Sequence, residues 1–435
     1  MQYGVQRTIT IKADIPAYGG LAIGRLEGKV VLIRGAIPGE TVEAAVEIEK
    51  KDLCKATVTK ILEPSPDRLE PPCVYFGRCG GCQLQYISHA RQVRLKEEVL
   101  KSSLKRMAGL EVELSEPMTG PDLHYRRRAR FKLSRGAVGF YKDKSHEVVD
   151  IESCPLMAND LDRLYKAARQ ILKGIEATEL HISCGGSDAV AVVTASRAVR
   201  VNWDTVANAF LSAGFSGVSV ELGGGRPRTY SRGYITLDLN GLSYTVSAAG
   251  FFQANWGLNR AAVRLVTGTL GGKSVDTQVS TSGDDPGAAV RPLEGLRVVD
   301  LYSGAGNFAL PLARAGAVVT AVEEHPRAVE DGVRNLRLNG ISGCGFVRAN
   351  ADNADIPGPV DILVVDPPRA GISDGAMGGL LSLDPARLVY MSCDPATFSR
   401  DIKRLGAKYN VESVRLVDFF PQTYHIESLA FLRLR

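Results

Sequence analysis

The sequence predicts an α/β protein whose C-terminal part is a doubly wound, mostly parallel sheet. Three observations lead to this fold class. Beyond residue 296, short apolar runs that suit buried strands alternate with stretches of helical period. A glycine-rich turn, Gly304 to Gly306, directly follows the first of these runs. The 435 residues also exceed what one hydrophobic core organises, so further domains are expected before the sheet.

The first predicted domain, residues 1–66, is a small β-barrel. Its segments alternate polar and apolar residues, are separated by Gly and Pro, and lack a helical period. The expected strands are Thr8 to Lys12, Val30 to Ile33, Thr41 to Ile48 and Ala56 to Leu62. A proline-containing stretch, residues 63–67, predicts a linker at the end of this domain.

The second predicted domain, residues 67–244, is of mixed α+β type. It begins with a cysteine-rich stretch, and an amphipathic helix is expected from about residue 89 to 107. Basic residues then cluster beside Tyr125 and Phe131, namely Arg126, Arg127, Arg128, Arg130 and Lys132. Basic and aromatic groups together suit a polyanion with stackable bases, so this run predicts an RNA contact. A solvated charged surface explains the run equally well.

The third predicted domain, residues 245–435, carries the alternating elements of the parallel sheet. Strands are expected at 297–301, 318–322, 361–365, 387–391 and 428–432, and helices at 255–270, 308–315 and 328–338. Between the first helix and the first strand, residues 271–295 are rich in Gly, Ser, Asp and Pro. This insertion is expected to be flexible or disordered.

Composition places the chain among ordinary globular proteins. Hydrophobic residues make up 45% and charged residues 23%, and no apolar run is long enough to span a bilayer. The first residues lack the apolar stretch of a secretory signal, so a cytoplasmic protein without a membrane partner is expected. The net charge of +5 is too small to identify a partner by itself.

The glycine-rich turn predicts a nucleotide-like cofactor at the carboxyl edge of the sheet. Gly304, Gly306 and Ala309 satisfy the pattern G-x-G-x-x-[GA], and Glu323 ends the next strand, where a carboxylate can bind ribose hydroxyls. NAD and S-adenosylmethionine fit these residues equally well. The D-P-P run that starts at Asp366 separates them, because nicotinamide enzymes have no particular need of it.

A cysteine at the next strand end is the candidate nucleophile. Cys393 follows an apolar strand and precedes a helix start formed by Asp394 and Pro395. The positive end of that helix is expected to favour the thiolate. Near the C-terminus, His425 and Glu427 are two residues apart and share one face of an extended segment. On titration behaviour alone, His425 is the favoured general base.

Eight cysteines in a chain without an export signal indicate metal binding or catalysis rather than disulfides. Cys73, Cys79 and Cys82 form a C-x5-C-x2-C pattern, and Cys154 follows at a distance. Four cysteines suit a zinc ion and a [4Fe-4S] cluster alike. Ordinary packing is expected for the remaining three, Cys54, Cys184 and Cys344.

Taken in order, the motifs resemble the RNA 5-methyluridine methyltransferase family, in its subgroup with a TRAM domain and an iron–sulfur cluster. The resemblance covers nearly the whole chain. Its motifs are the barrel, the four cysteines, F-F-Q-x-N at 251–255, D-L-Y-S-G-A-G-N-F at 300–308, D-P-P-R at 366–369, S-C-D-P-A-T at 392–397 and F-P-Q-T-Y-H-I-E at 420–427. The resemblance implies a Rossmann-like class I methyltransferase domain, a TRAM-like, OB-like barrel that binds RNA, and a [4Fe-4S] cluster in the central domain.

The resemblance also implies roles for single residues. Those implied to bind S-adenosylmethionine are Gln253, Tyr302, Asn307, Glu323, Asn350 and Asp366. Cys393 is implied as the nucleophile and Glu427 as the base that removes the C5 proton, which replaces His425 in that role. The implied cluster ligands are Cys73, Cys79, Cys82 and Cys154.

The implied reaction is methylation of C5 of a specific uridine, in 23S ribosomal RNA by preference, with transfer RNA as the alternative substrate. Two other functions compete with it. An enzyme that methylates an exocyclic amino group also uses D-P-P motifs but needs no thiolate. A non-catalytic RNA-binding protein would use only the barrel and the basic run. We expect the protein to be a monomer.

Overall fold

The computed structural model describes residues 7–272, 292–356 and 358–435. Most of the predicted insertion at 271–295 therefore lies outside the described residues, and its predicted flexibility stays a prediction. Among the residues described, no helix is both long enough and apolar enough to span a bilayer.

The N-terminal segment folds as a mixed six-stranded sheet with its own apolar core. Its strands are β1 (Thr8–Lys12), β2 (Ile15–Ala17), β3 (Leu21–Leu26), β4 (Lys29–Arg34), β5 (Thr41–Glu49) and β6 (Leu53–Glu63). They lie in the order β1-β5-β6-β4-β3-β2, and only β4 and β6 are parallel among these described neighbours. Alternate residues such as Ile9 and Ile11 are buried, as the sequence period requires. The four predicted strands are confirmed, whereas closure into a barrel stays a prediction.

An irregular segment, residues 64–88, carries three of the cysteines and leads into α1 (His89–Ser103). Ser88 caps this helix, because its side chain accepts a hydrogen bond from the Arg91 backbone N–H. The helix continues into a π-helical turn, Leu104–Ala108, and the chain then forms β7 (Ser115–Met118). Val93, Val99 and Leu100 of α1 pack in the core of the C-terminal sheet. Hence α1 packs on the C-terminal sheet, although it lies within residues 67–244.

The central part of the chain forms a seven-stranded sheet covered by two helices. Its elements are β8 (Arg128–Ser134), β9 (Ala137–Tyr141), β10 (Val148–Asp150), α2 (Asn159–Ile171), β11 (Ala177–Cys184), β12 (Ala189–Ala195), α3 (Trp203–Ser212), β13 (Gly217–Leu222) and β14 (Arg228–Ser231). The strand order is β10-β9-β8-β11-β12-β13-β14. Phe131, Tyr165 and Phe210 fill the core between sheet and helices. The α+β character predicted for this region is confirmed.

A hairpin and a helix lead from the central sheet to the C-terminal one. The hairpin consists of β15 (Tyr234–Leu239) and β16 (Leu242–Ser247), and α4 (Trp256–Leu270) follows. The Asn255 side chain accepts a hydrogen bond from the Leu258 N–H and so caps α4. Most of α4 is buried, because it packs in one core with the C-terminal sheet.

The C-terminal sheet has eight strands. Its further elements are β17 (Arg297–Leu301), α5 (Ala309–Arg314), β18 (Val318–Glu323), α6 (Pro326–Leu338), β19 (Cys344–Arg348), β20 (Ile362–Val365), α7 (Asp374–Leu383), β21 (Arg387–Ser392), α8 (Pro395–Leu405), β22 (Tyr409–Val417) and β23 (Glu427–Leu434). The strand order is β19-β18-β17-β20-β21-β23-β22-β7. The strands β17 to β21 are parallel to one another. The strand β23 is antiparallel to both β21 and β22. The predicted mostly parallel, doubly wound sheet is confirmed.

The eighth strand comes from far away in the sequence. β7 pairs in parallel with β22 and so joins the C-terminal sheet from within residues 67–244. The limits proposed for the three domains stay a prediction. The sheet itself contains strands from before and after residue 244, where the second predicted domain ends.

Candidate active site

The predicted site residues gather at one edge of the C-terminal sheet. Because β17 to β21 are parallel, the residues that follow them leave the sheet at the same edge. Tyr302 follows β17, Glu323 ends β18, Asp366 follows β20 and Cys393 follows β21. Asn350 lies two residues beyond β19 and is exposed. Predicted site residues from several loops therefore lie along this edge of the sheet.

The glycine turn has the open backbone that a bound nucleotide needs. Gly304 and Gly306 adopt φ values of 57° and 94°. A Cβ atom on Gly306 would lie 1.8 Å from Leu310 Cδ1, so only glycine fits there. Tyr302 also has a positive φ of 63°, an unfavourable conformation for a non-glycine residue that often marks a functional turn.

The remaining predicted cofactor residues are held by hydrogen bonds. Glu323 accepts from the backbone N–H groups of Gly304 (2.9 Å) and His325 (2.8 Å), which fixes its carboxylate beside the turn. Asn307 exchanges two side-chain hydrogen bonds with the buried Asn259, at 2.8 and 3.1 Å. Asn350 donates to Glu324 at 2.8 Å. The hydrogen bonds from Gly304 and His325 hold the Glu323 carboxylate next to the glycine turn.

The F-F-Q-x-N segment is held by the basic run of the central domain. The N–H of Arg127 donates to the Ala254 carbonyl at 3.0 Å, and Arg126 forms a β-bridge with Asn255. Gln253 is half-buried and directly precedes these two anchoring points. The central domain therefore positions one of the predicted cofactor contacts.

Asp300, which lies in the strand that leads into the predicted cofactor turn, is a further candidate that was not predicted from the sequence. It is fully buried in β17, and within the described part of the chain neither of its carboxylate oxygens has a hydrogen-bond partner. Burial and the nearby Asp366 raise its pKa well above the usual range. An orphaned buried carboxyl group fits a ligand that donates hydrogen bonds or carries positive charge. The sequence does contain a sign of this residue, because Asp300 is the one acidic residue among the buried apolar residues of β17.

Cys393 and Glu427 lie side by side although they are distant in sequence. Ser392 at the end of β21 pairs with Ser428 of the antiparallel β23. Cys393, just beyond β21, and Glu427, the first residue of β23, therefore lie next to each other at the sheet edge. Cys393 is half-buried, and Glu427 is only 6% exposed. A thiol and a carboxyl group thus lie next to each other in a poorly hydrated place.

Burial and neighbouring carboxyl groups disfavour the charged forms of both groups. Desolvation, followed by the charges of Glu427 and Asp366, raises the pKa of the Cys393 thiol to about 12. Desolvation also raises the pKa of Glu427 well above its usual range and that of Asp366 to about 7. The prediction that the helix end favours the thiolate is therefore wrong for the free protein. Desolvation outweighs the helix dipole here.

His425 is less suited than Glu427 to act as the base. Its Nδ1 atom accepts a hydrogen bond from Arg369 at 3.3 Å. Burial, followed by the positive charge of Arg369, lowers the pKa of His425 to about 4. A neutral imidazole whose Nδ1 is already occupied is a weak base at neutral pH. Arg369, which the sequence reasoning did not select, lies near both His425 and Cys393.

The four predicted cluster cysteines line one cavity in the central region. They share it with Arg126, Gln85 and the aromatic rings of Tyr75, Phe76 and Phe140, together with Gly81, Ile151, Ser153 and Leu156. The Nε atom of Arg126 is buried without a partner among the described residues, so a positive charge lies beside the thiols. Across the described ranges, no three His, Cys, Asp or Glu side chains are placed to hold a single metal ion.

The basic run is largely engaged with the protein itself. Arg127 pairs with Asp160 at 2.6 Å, and both Arg130 and Lys132 pair with Glu179. Arg128 lies 4.7 Å from the ring centroid of the exposed Phe251 and donates to the Gly250 carbonyl. The run therefore offers less free positive charge to a polyanion than the sequence suggests.

Comparisons with known proteins identify the family. The sequence model of tRNA (uracil-5-)-methyltransferases matches residues 359–435. An uncharacterized RNA methyltransferase of Aquifex aeolicus is 34% identical over 96% of this chain and 96% of its own length. The 23S rRNA (uracil(1939)-C(5))-methyltransferase RlmD of Shewanella amazonensis is 33% identical over 99% of this chain and 96% of its own.

The chain belongs to the RNA uracil-5-methyltransferase family. The family and the enzyme class predicted from the motifs are thereby confirmed. The fold agrees as well. The crystal structure of a Pyrococcus abyssi tRNA (uracil-54, C5)-methyltransferase, in complex with S-adenosyl-L-homocysteine, superposes with a TM-score of 0.75 at 23% identity. It covers 98% of this chain and 100% of that one. The TRAM and iron–sulfur features of the subgroup stay predictions.

Proposed function

We propose that this protein transfers a methyl group from S-adenosylmethionine to C5 of a uridine in RNA through a covalent intermediate on Cys393. The observation that carries the proposal is the meeting of Cys393 and Glu427 at the sheet edge, beside the glycine turn. An amino-group methyltransferase would have no use for a thiol at this place. Membership of the RNA uracil-5-methyltransferase family supports the same reaction.

The residues of the edge suit the methyl donor. S-adenosylmethionine supplies an electrophilic methyl group and carries a positively charged sulfonium and ammonium group. The orphaned carboxyl of Asp300 and the carboxylate of Glu323 match its cationic and ribose parts. The residues proposed to hold it are Gln253, Tyr302, Asn307, Glu323, Asn350 and Asp366.

The reaction uses Cys393 first. Its thiolate adds to C6 of the uracil, and the electron pair of the C5–C6 double bond moves into an enolate with charge at C5. C5 then takes the methyl group. Glu427, as a carboxylate, removes the remaining C5 proton, the double bond re-forms and the thiolate leaves. Since burial raises the pKa of both groups in the free protein, we propose that binding of the RNA promotes their ionisation.

We further propose that Cys73, Cys79, Cys82 and Cys154 hold a [4Fe-4S] cluster with a structural role. In such a cluster each thiolate binds a different iron, so four cysteines can surround one cavity without converging on a single ion. This arrangement agrees with a cysteine-lined cavity in which the described residues provide no single-ion site. The positive charge of Arg126, whose buried Nε atom has no partner among the described residues, would balance the negative cluster.

The proposed domains are a TRAM-like RNA-binding domain at 1–66, a cluster domain at 67–244 and the methyltransferase domain at 245–435. The proposed substrate is 23S ribosomal RNA, because relatives that match over nearly the whole chain carry that name. Transfer RNA is the second candidate, since the matching family model is described by it.

Mapping 5-methyluridine in total RNA from cells with and without the gene tests this proposal. A single site in 23S ribosomal RNA should lose the modification, and the intact gene should restore it whereas a Cys393→Ala gene should not. Loss at a transfer RNA site would identify the second candidate. Unchanged 5-methyluridine in every RNA would refute the proposed activity.

A further inference from the structure

The loop between β22 and β23, residues 418–426, places the proposed base. Val417 pairs with Glu427 across the foot of this loop, so the sheet fixes its two ends. The tip needs other support, because Gln422 adopts a φ of 68° there. That left-handed conformation is unfavourable for glutamine and persists only where surrounding contacts enforce it. We call residues 418–426 the catalytic loop.

A buried glutamine of α1 provides this support. Gln92 is 0% exposed and Gln422 is 4% exposed. The Nε2 atom of Gln92 donates to Gln422 Oε1 at 2.9 Å, and Gln92 Oε1 accepts from the Gln422 backbone N–H at 2.9 Å. The pair is reciprocal and excluded from water, so removing one partner leaves buried polar groups unsatisfied.

The same tip is bonded to the cysteine-rich segment. The Gln422 carbonyl accepts from the backbone N–H groups of Gln83 and Leu84, both at 3.0 Å, and these residues directly follow Cys82. Gln92 Nε2 also donates to the Leu84 carbonyl at 3.1 Å. One side chain therefore contacts both the catalytic loop and the segment that supplies three of the four cysteines.

We propose that Gln92 is a positioning residue. Its hydrogen bonds with Gln422 and Leu84 connect the catalytic loop to the cysteine-rich segment. Through this connection, a change at the cysteines alters the position of Glu427. This inference rests on the proposed function, because Glu427 must act as the base. Loss of the hydrogen bonds between Gln92 and Gln422 lets Gln422 leave its left-handed conformation. The loop that precedes Glu427 then shifts. Methyl transfer does not need Glu427, but removal of the C5 proton does.

The test is a single-turnover experiment with Gln92→Met, which keeps the side-chain length and removes the amide. Methyl transfer to RNA and binding of S-adenosyl-L-homocysteine should stay within about twofold of wild type. Release of methylated RNA should slow by about tenfold or more, because small misplacement of a reacting group is costly. A covalent protein–RNA band should therefore accumulate on unmodified RNA in denaturing gels.

Two further variants make the result specific. Tyr409→Phe removes a buried hydrogen bond to the Pro385 carbonyl at the far end of β22 and should lower stability without any stall. Gln422→Ala removes only the side-chain bonds, leaves the unfavourable positive φ in place and keeps the bonds from Gln83 and Leu84. It should stall as Gln92→Met does, and it replaces that variant if Gln92→Met fails to fold.

A double-mutant cycle tests the link to the cysteines. Cys82→Ser should stall by itself, and adding Gln92→Met should slow release little further, because both changes act through one connection. Additive effects would overturn the link. Normal release by both Gln92→Met and Gln422→Ala would overturn the positioning role, as would equal losses of transfer and release. If wild-type protein forms no adduct even with RNA containing 5-fluorouridine, the proposed covalent mechanism has failed instead.

Discussion

At the scale of single residues, burial decides the reactivity of the site. Cys393 and Glu427 are brought together in a poorly hydrated space, where a thiol and a carboxyl group both resist ionisation. A protonated thiol is inert toward oxidants and adventitious electrophiles. The same desolvation makes each group a strong base or nucleophile once it has lost its proton.

Variants of the two residues should separate the two halves of the reaction. Cys393→Ala should abolish methylation and adduct formation while S-adenosylmethionine still binds, since the residues proposed to hold it lie on other loops. Glu427→Gln should transfer the methyl group and then stall as a covalent adduct, visible as a slow band in a denaturing gel. His425→Gln is the matched comparison. A stall in His425→Gln with normal turnover in Glu427→Gln would assign the base to His425.

The pH dependence of kcat/KM should report the raised pKa of Cys393. Since that pKa is about 12, the thiolate fraction of the free protein grows tenfold for each pH unit throughout the neutral range. We therefore expect kcat/KM, measured by methyl incorporation into RNA, to keep rising from pH 6 to pH 9. A plateau reached below pH 8 would contradict a raised pKa for the nucleophile.

At the scale of elements, the turn between β17 and α5 depends on backbone freedom more than on side chains. Gly306 combines a φ of 94° with a neighbouring methyl group that leaves no room for a Cβ atom. The turn and Glu323 are also one unit, because the Gly304 N–H donates to that carboxylate. A change at the turn should therefore alter cofactor binding directly.

Gly306→Ala should lower stability by about 1–3 kcal/mol through strain and weaken S-adenosyl-L-homocysteine binding. Thermal unfolding and titration calorimetry would measure the two effects. Gly378→Ala in α7 is the control, because its φ is not positive and its Cβ would meet nothing within 4 Å. That helical change should be neutral or slightly stabilising. Normal ligand binding by Gly306→Ala would show that the turn does not contact the cofactor.

The cysteine-lined cavity makes a second prediction at this scale. Protein purified without oxygen should be brown and contain iron and acid-labile sulfide. Cys154→Ser should lose both, whereas Cys184→Ala, which removes a buried thiol of the central core, should keep them. Stoichiometric zinc without sulfide in the wild type would contradict the cluster.

At the scale of the whole molecule, α1 connects the cysteine-rich segment to the C-terminal sheet. Its Lys96 is 3% exposed and donates to the fully buried side chain of Asp418 at 2.6 Å and to the Phe420 carbonyl at 3.0 Å. His89 contacts the other oxygen of Asp418. Contacts from Lys96 and His89 hold the pKa of Asp418 below its usual range in spite of its burial. This charged junction joins parts of the chain separated by more than 300 residues.

Breaking this junction should destabilise the molecule strongly. Lys96→Met leaves Asp418 buried and short of one cation, which should cost about 3–5 kcal/mol in the free energy of unfolding. Lys101→Met removes an exposed pair with Glu113 from the same helix and should cost less than about 1 kcal/mol. Denaturant unfolding measures both. Similar small losses for the two variants would mean that the buried pair contributes little.

Acid should weaken the same junction. Because the folded-state pKa of Asp418 is lowered, its stabilising contribution is complete above the unfolded-state pKa and declines as the pH falls through the folded-state value. The stability difference between wild type and Lys96→Met should therefore shrink as the pH falls below about 4. Unfolding curves recorded between pH 7 and pH 3 would test this, and a constant difference would contradict it.

Local patterns along the chain are enough to predict most elements of the C-terminal sheet and the residues at their ends. The predicted strand at 297–301 coincides with β17, and the helix at 328–338 lies within α6. Such features are local, because periodicity and turn residues act within a few positions along the chain. Cys393 was selected in the same way, from a strand followed directly by a helix cap. The glycine-rich α7 and the strand β22 were not predicted, since neither has a strong local period.

How these elements come together depends on contacts between distant parts of the chain. The antiparallel placement of β23 sets Glu427 beside Cys393, and β7 reaches the same sheet from residues 115–118. Burial raises the pKa of Cys393, whereas the helix end was expected to lower it. The fold also places Arg369 where it donates a hydrogen bond to His425. Most of the basic run was likewise paired within the protein. Pairing, desolvation and charge contacts depend on residues far apart in sequence, and no local pattern records them.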